Sequence, residues 1–225
     1  MAKAEDQNTK RCQVFLVEDH PIFRDHLRLL INHDLGMEVC GEAEDIRTAL
    51  PNICKIKPDI AIVDITLRGS SGLELVKDLR AQGSEVPVLV LSMHDEELYA
   101  ERALRAGARG YITKNEASSE VVKAIRKVTA GDVYVSRNMN AKLLDRLTAK
   151  RSGAELSGIS SLADRELEVF QLLGRGKSTQ EIATTLNLSD STIDTYRARI
   201  KDKLQLRSAA ELYLRAGQWV RDHGA

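Results

Sequence analysis

The sequence predicts an α/β protein: a doubly wound, five-stranded parallel sheet, followed by a small all-α domain of four helices. Three observations point there. Five short apolar runs alternate with five amphipathic segments over the first 131 residues. A polar stretch of small residues follows, TAKRSGAELSGISS. From Leu162 onward the strand signals stop and helical periodicity continues. Strands alternating with helices argue for parallel strands joined by crossovers.

The apolar runs are Val14 to Val17, Met37 to Cys40, Ile60 to Val63, Val88 to Leu91 and the short Tyr111-Ile112. An unbroken run such as Ile60-Ala61-Ile62-Val63 suits a strand covered on both faces. Helices are predicted near 22–33, 45–54, 72–81, 96–106 and 118–130. Their apolar residues recur at three and four, as in Leu73, Val76 and Leu79, or Val121, Val122, Ile125 and Val128. This first domain is set at 12–131. Residues 132–160 read as a linker with a short helix over 138–147, where Leu143, Leu144 and Leu147 share a face. The second domain, 161–222, carries helices at about 163–174, 179–186, 190–204 and 208–219. The three-residue break 187–189 between two of them gives the helix-turn-helix pattern.

Composition narrows the function classes. No apolar run approaches the roughly 18 residues needed to cross a bilayer. The N-terminal stretch MAKAEDQNTKRCQ holds acids and no apolar core, so a signal peptide is not expected and a cytoplasmic location is. Cys12, Cys40 and Cys54 form no CxxC pair and read as reduced, small apolar residues. Net charge is zero, but residues 1–131 hold 18 Lys+Arg against 21 Asp+Glu, and residues 132–225 hold 15 against 12. An acidic module precedes a basic one. No GxxxxGK[ST] phosphate loop occurs.

In doubly wound sheets, ligands bind beyond the carboxyl ends of the strands, where strand order reverses. In the flavodoxin-like order 2-1-3-4-5 that point lies between strands 1 and 3. Strand 1 ends in Glu18-Asp19 and strand 3 in Asp64. Three converging carboxylates need a proton or a cation. An all-oxygen set favours Mg²⁺, beside an aspartate able to attack phosphorus. Ser92 ends strand 4 and Lys114 ends strand 5, a hydroxyl and an ammonium suited to a phosphoryl group. Tyr111 lies three residues before Lys114. Aspartate-nucleophile phosphohydrolases are the enzyme alternative. Those of the haloacid-dehalogenase type place a second Asp two residues after the first, where this chain has Thr66.

Residues 12–131 resemble a response-regulator receiver domain on Glu18-Asp19, Asp64, Ser92, Lys114 and Gly72. The resemblance implies that Asp64 accepts a phosphoryl group from a sensor histidine kinase. It implies Mg²⁺ held by Asp19, Asp64 and the Thr66 backbone carbonyl, with Glu18 acting through water. It makes Ser92 and Tyr111 the switch pair, and it implies a regulator with only slow autodephosphorylation, not a turnover enzyme. One departure is Asn115, where many relatives carry proline, often after a cis bond.

Residues 162–216 resemble the LuxR-type DNA-binding domain of the NarL/FixJ response regulators, through STQEIA, LSxSTI and RxRIKDKL. Ser189 can cap the helix starting near Asp190. Ile193, Ile200 and Leu204 would bury one face of it. Thr192, Asp194, Thr195, Ala198 and Arg199 would face a major groove. Arg197, Arg199, Lys201, Lys203 and Arg207 are expected to serve phosphates. Lys177, Ser178 and Thr179 offer a second phosphate site at a helix N-terminus. Asp194 stands where many relatives carry lysine, and it can accept from a cytosine amino group. Ala163 stands where a capping Thr is common, with Ser161 as a substitute cap if the helix start shifts. The expected partners are a histidine kinase, double-stranded DNA and a second copy of the chain.

Overall fold

The structure, a computed structural model, describes residues 11–67, 70–93, 96–116, 118–148 and 158–223. The chain divides into two compact units, Met1–Ala141 and Lys142–Ala225.

The first unit is a five-stranded parallel sheet with helices between successive strands. The strands are β1 (Cys12–Val17), β2 (Met37–Ala43), β3 (Ile60–Val63), β4 (Val88–Ser92) and β5 (Gly110–Thr113). Their spatial order is β2-β1-β3-β4-β5, all parallel. The connecting helices are α1 (Pro21–His33), α2 (Ile46–Ile56), α3 (Gly72–Ala81) and α4 (Glu96–Ala106), with α5 (Ser118–Thr129) after β5. Central strands are buried on both faces, as their unbroken apolar runs require: every residue of β3 and β4 is buried. β2 lies at an edge, and only its terminal Met37 and Ala43 are fully buried. Leu16, Ile62, Leu89, Leu91 and Ile112 form one core with Leu27 and Ile31 of α1 and Val121, Ile125 and Val128 of α5.

Local chemistry sets the helix starts. Pro21 opens α1, where its missing N–H costs nothing. Asp45 caps α2 by accepting from the Thr48 N–H, and Ser71 caps α3 by accepting from the Leu73 N–H. Between β3 and α3, Thr66–Leu67 pairs antiparallel with Ser70–Ser71. This ladder was not anticipated, because two polar or mixed residues carry no strand signal.

The first unit runs past residue 131, the boundary expected from the sequence. Tyr134 forms a parallel bridge with Gly110 on the outer edge of β5. Its N–H donates to the Arg109 carbonyl at 3.0 Å, and its carbonyl accepts from the Tyr111 N–H at 2.8 Å. The Ser136 N–H donates to Glu96 Oε1 at 2.7 Å, and the Tyr134 hydroxyl to Glu120 Oε2 at 2.6 Å. The segment is thus strapped to α4, β5 and α5. Gly110 permits this, since a Cβ there would stand 3.0 Å from the Tyr134 carbonyl oxygen and 2.8 Å from Leu89. The short helix predicted over 138–147 is α6 (Arg137–Thr148), and the division between the units falls within it. Of the linker stretch, 149–157 lies outside the described residues.

The second unit is helical: a 3₁₀ turn (Gly158–Ser161), then α7 (Asp164–Gly174), α8 (Thr179–Leu186), α9 (Asp190–Leu204) and α10 (Ala209–His223). Phe170 and Trp219 meet edge to face at 5.9 Å between α7 and α10. Ile182, Leu186, Ile193 and Ile200 close the core from α8 and α9. Asn187 takes the left-handed conformation that ends α8, and Ser189 then caps α9 by accepting from the Thr192 N–H. Ser161 does not cap α7, since its hydroxyl donates to the Gly158 carbonyl. The cap residue is Ala163, whose N–H donates to Glu166 Oε2 at 2.7 Å.

Candidate functional site

The strand order brings the carboxyl ends of β1 and β3 side by side. Glu18 and Asp19 follow β1, Asp64 follows β3, Ser92 closes β4 and Lys114 follows β5. Asp64 is fixed by its own backbone, with its N–H donating to the Val17 carbonyl at 2.9 Å. Glu18 and Asp64 are nearly sealed, at 2% and 4% exposure. Lys114 Nζ bridges them, 2.6 Å from Glu18 Oε2 and 2.8 Å from Asp64 Oδ2. The ammonium also stands 4.4 Å from the centre of the Phe23 ring. Arg24 reaches in from α1 and donates to the Glu18 carbonyl at 2.7 Å. Thr66 donates its backbone N–H to Asp64 Oδ1 at 3.3 Å.

Carboxylates outnumber the one ammonium. Burial pushes the Asp64 carboxyl up to about 6; Lys114 opposes the rise and the Glu18 charge adds to it. Burial alone would lower Lys114, but Asp64 and Glu18 more than offset that and raise it. The main causes differ: burial raises Asp64, whereas the two carboxylates raise Lys114 against its burial. The donors of the crevice are chiefly oxygen, and one ligand atom each from Glu18, Asp19, His20 and Asp64 lies within 4.8 Å of the others. An excess of compact carboxylate charge fits a hard divalent cation such as Mg²⁺.

Gly72 does not sit in a loop. It is the buried first residue of α3, and its N–H donates to the Ile65 carbonyl at 2.6 Å. A Cβ there would stand 1.8 Å from the Asp64 carbonyl oxygen, so only glycine lets α3 start this close to the acid. Ser92 and Tyr111 are both fully buried, on adjacent strands. The Ser92 carbonyl accepts from the Lys114 N–H at 2.8 Å, which ties the two rims together. His20 was missed by sequence reasoning. Its Nδ1 lies 2.9 Å from Asp19 Oδ1 and 3.2 Å from Glu18 Oε1. Its place directly after an acidic pair was the available signal.

In the second unit, α9 buries Ile193 and Ile200, with Leu204 half-buried. Asp194, Thr195, Ala198 and Arg199 are exposed on the other side, and Thr192 and Lys201 are half-buried. Two of the expected phosphate contacts are engaged inside the fold. Arg197 Nη1 donates to Asp194 Oδ1 at 2.9 Å and to Thr179 Oγ1 at 3.1 Å, with its guanidinium 5.6 Å from the Tyr213 ring centre. Lys203 Nζ donates to Glu166 Oε2 at 2.6 Å. The N-terminus of α8, offered by the sequence to a phosphate, already holds a carboxylate. Glu181 accepts from the Ser178 N–H at 2.8 Å and from Lys177 Nζ at 3.1 Å. Those contacts, the backbone one first, hold its pKa down at about 2.

Known proteins share both units. Residues 14–126 match the response regulator receiver domain, and residues 160–216 match the luxR family of bacterial regulatory proteins. A putative transcriptional regulator of Pseudomonas aeruginosa is 36% identical over 204 residues, covering 89% of this chain and 94% of that protein. The virulence factors putative positive transcription regulator BvgA of Bordetella pertussis is 34% identical over 200 residues, with the same coverage of 89% and 94%. The crystal structure of a LuxR-family two-component response regulator from an Aurantimonas species is similar at 33% identity and a TM-score of 0.57. That match spans 61% of this chain and 98% of that one. The chain belongs to the two-component response regulators that join a receiver domain to a luxR-type helix-turn-helix, and it is a transcriptional regulator.

Proposed function

We propose that Asp64 is the phosphoacceptor of this regulator and that its phosphorylation by a sensor histidine kinase controls dimerisation and promoter binding. The observation that supports this most is the sealed Asp64 carboxylate, bridged to Glu18 by Lys114 at the carboxyl end of the sheet. An Asp64 oxygen attacks phosphorus; the bond from phosphorus to the donor atom breaks, and that atom keeps the electron pair and takes a proton. Mg²⁺, held by Asp19, Asp64 and the Thr66 carbonyl with Glu18 behind them, would neutralise the crowded charge.

Lys114 is placed to exchange its hold on Asp64 for a phosphoryl oxygen, and the Ser92 hydroxyl to donate to another. Tyr111, on the adjacent strand β5 and two register positions before the partner of Ser92, relays the change to the surface of α4 and β5. The output is α9 entering a major groove with Thr192, Asp194, Thr195, Ala198 and Arg199 towards the bases. Paired half-sites would then be bound by two copies. The chain is a regulator, not a turnover enzyme, and works in the cytoplasm. Among the described residues, no helix is long and apolar enough to cross a membrane.

The test is incubation with Mg²⁺ and a small acyl phosphate, read by intact mass. Wild type gains one phosphoryl group and Asp64→Asn gains none. Equal incorporation in the two sinks the proposal.

A further inference from the structure

We propose that His20 is a third direct side-chain donor to the cation site, beside Asp19 and Asp64, so that the crevice takes first-row transition-metal dications such as Mn²⁺ more tightly than Mg²⁺. This rests on the cation site proposed above and adds a nitrogen to it.

Position comes first. His20 is the N-cap residue of α1, where Ser, Thr, Asp or Asn is the usual choice. Its side chain makes no capping hydrogen bond to the helix. Pro21 follows directly, which restricts the His20 backbone to the extended region, and it lies there at φ −88°, ψ 109°. The imidazole is turned to the acids instead. The His20 N–H donates to Glu18 Oε1 at 3.1 Å, so the ring is anchored beside that carboxylate by its own main chain.

The spacing suits a shared ion. Bonds of about 2.1 Å at right angles separate neighbouring donors by about 3.0 Å. Nδ1 lies 2.9 Å from Asp19 Oδ1, one of the two direct carboxylate donors, and a His20 ring nitrogen lies within 4.8 Å of an Asp64 oxygen. For ligation the ring proton resides on Nε2, which leaves the Nδ1 lone pair for the cation and the ring neutral. Imidazole binds Mg²⁺ weakly and later first-row ions well, and this difference sets the preference.

The experiment uses the full chain near neutral pH. Mg²⁺ and Mn²⁺ are titrated separately by calorimetry, and the Mn²⁺ form is examined by pulsed EPR. Wild type binds Mn²⁺ more tightly than Mg²⁺ and shows a nitrogen hyperfine coupling. His20→Gln, at an exposed ring, loses the coupling and roughly tenfold or more in Mn²⁺ affinity, with a much smaller loss for Mg²⁺. No nitrogen coupling in wild type, or equal losses for both ions, overturns the role of His20 and leaves the cation site standing. If Asp19→Asn and Asp64→Asn bind both ions as wild type does, the crevice is not the cation site, and both readings fall together.

Discussion

Asp64 is a carboxylate that the fold holds against its own preference. Its pKa rises from 3.8 to about 6 on folding in the absence of a cation, chiefly through burial. The folded state therefore binds this proton more tightly than the unfolded chain. The penalty is absent below pH 3.8, grows through that window and is complete above about 6. Asp64→Asn removes it. With chelator present, the receiver unit of that variant is expected to be more stable than wild type at pH 7.5, by about 3 kcal/mol. The gap should close as the pH falls to 4. Thermal melting against pH checks this, and a gap independent of pH would contradict the sign. Gly72 is the second decisive position. Gly72→Ala drives a methyl into the Asp64 carbonyl, and a loss of about 3 kcal/mol or more in denaturant unfolding is expected. The acids were legible in the sequence because strand ends place them. His20 was not, because a lone imidazole beside a helix start reads equally well as an ordinary exposed side chain.

At the level of elements, α9 shows what charge counting in a sequence leaves out. Five bases lie between Ser191 and Arg207. Arg197 finds its second partner 18 residues away, and Lys203 finds Glu166 at 37. Such partners are set by helix packing and leave no local trace. Arg199, Lys201 and the exposed Arg207 are accordingly the expected phosphate contacts. Arg199→Ala or Lys201→Ala should each reduce the slope of log K against log salt by about 1. Lys203→Ala should leave the slope unchanged and destabilise the helical unit by about 1 kcal/mol, since Glu166 loses one partner. Filter binding across a salt series, with melting in parallel, separates the two effects. The strands and the helix cap Ser189 were legible, because unbroken apolar runs and hydroxyl caps are local signals. The Thr66–Ser71 ladder depends on tertiary placement, whereas the closed α8 N-terminus follows from a local capping box, Ser178 with Glu181 three residues on, that charge counting passes over.

For the molecule as a whole, the end of the receiver unit matters most. A boundary at 131 follows from where helical periodicity fades, but the strap through Tyr134 and Ser136 belongs to the sheet. A fragment of residues 11–131 loses the hydrogen bonds of Tyr134 with Arg109 and Tyr111, that of the Ser136 N–H to Glu96, and the buried Tyr134 side chain, on the order of 3 kcal/mol. It should melt roughly 10 °C below a fragment of residues 11–141. Equal melting would show that the strap adds nothing to the receiver. A lone tyrosine in GDVYVS gave no periodic signal, so its place had to come from the three-dimensional path of the chain. The strap has one more consequence. At Gly110 and Tyr111 the outer rail of the sheet is already claimed by the chain itself. A second copy arriving on the β5 side cannot zip main chain to main chain there, the route by which bare sheet margins recruit strangers. It meets side chains instead. Choice of companion on that side is therefore written in residues that mutation can edit one at a time.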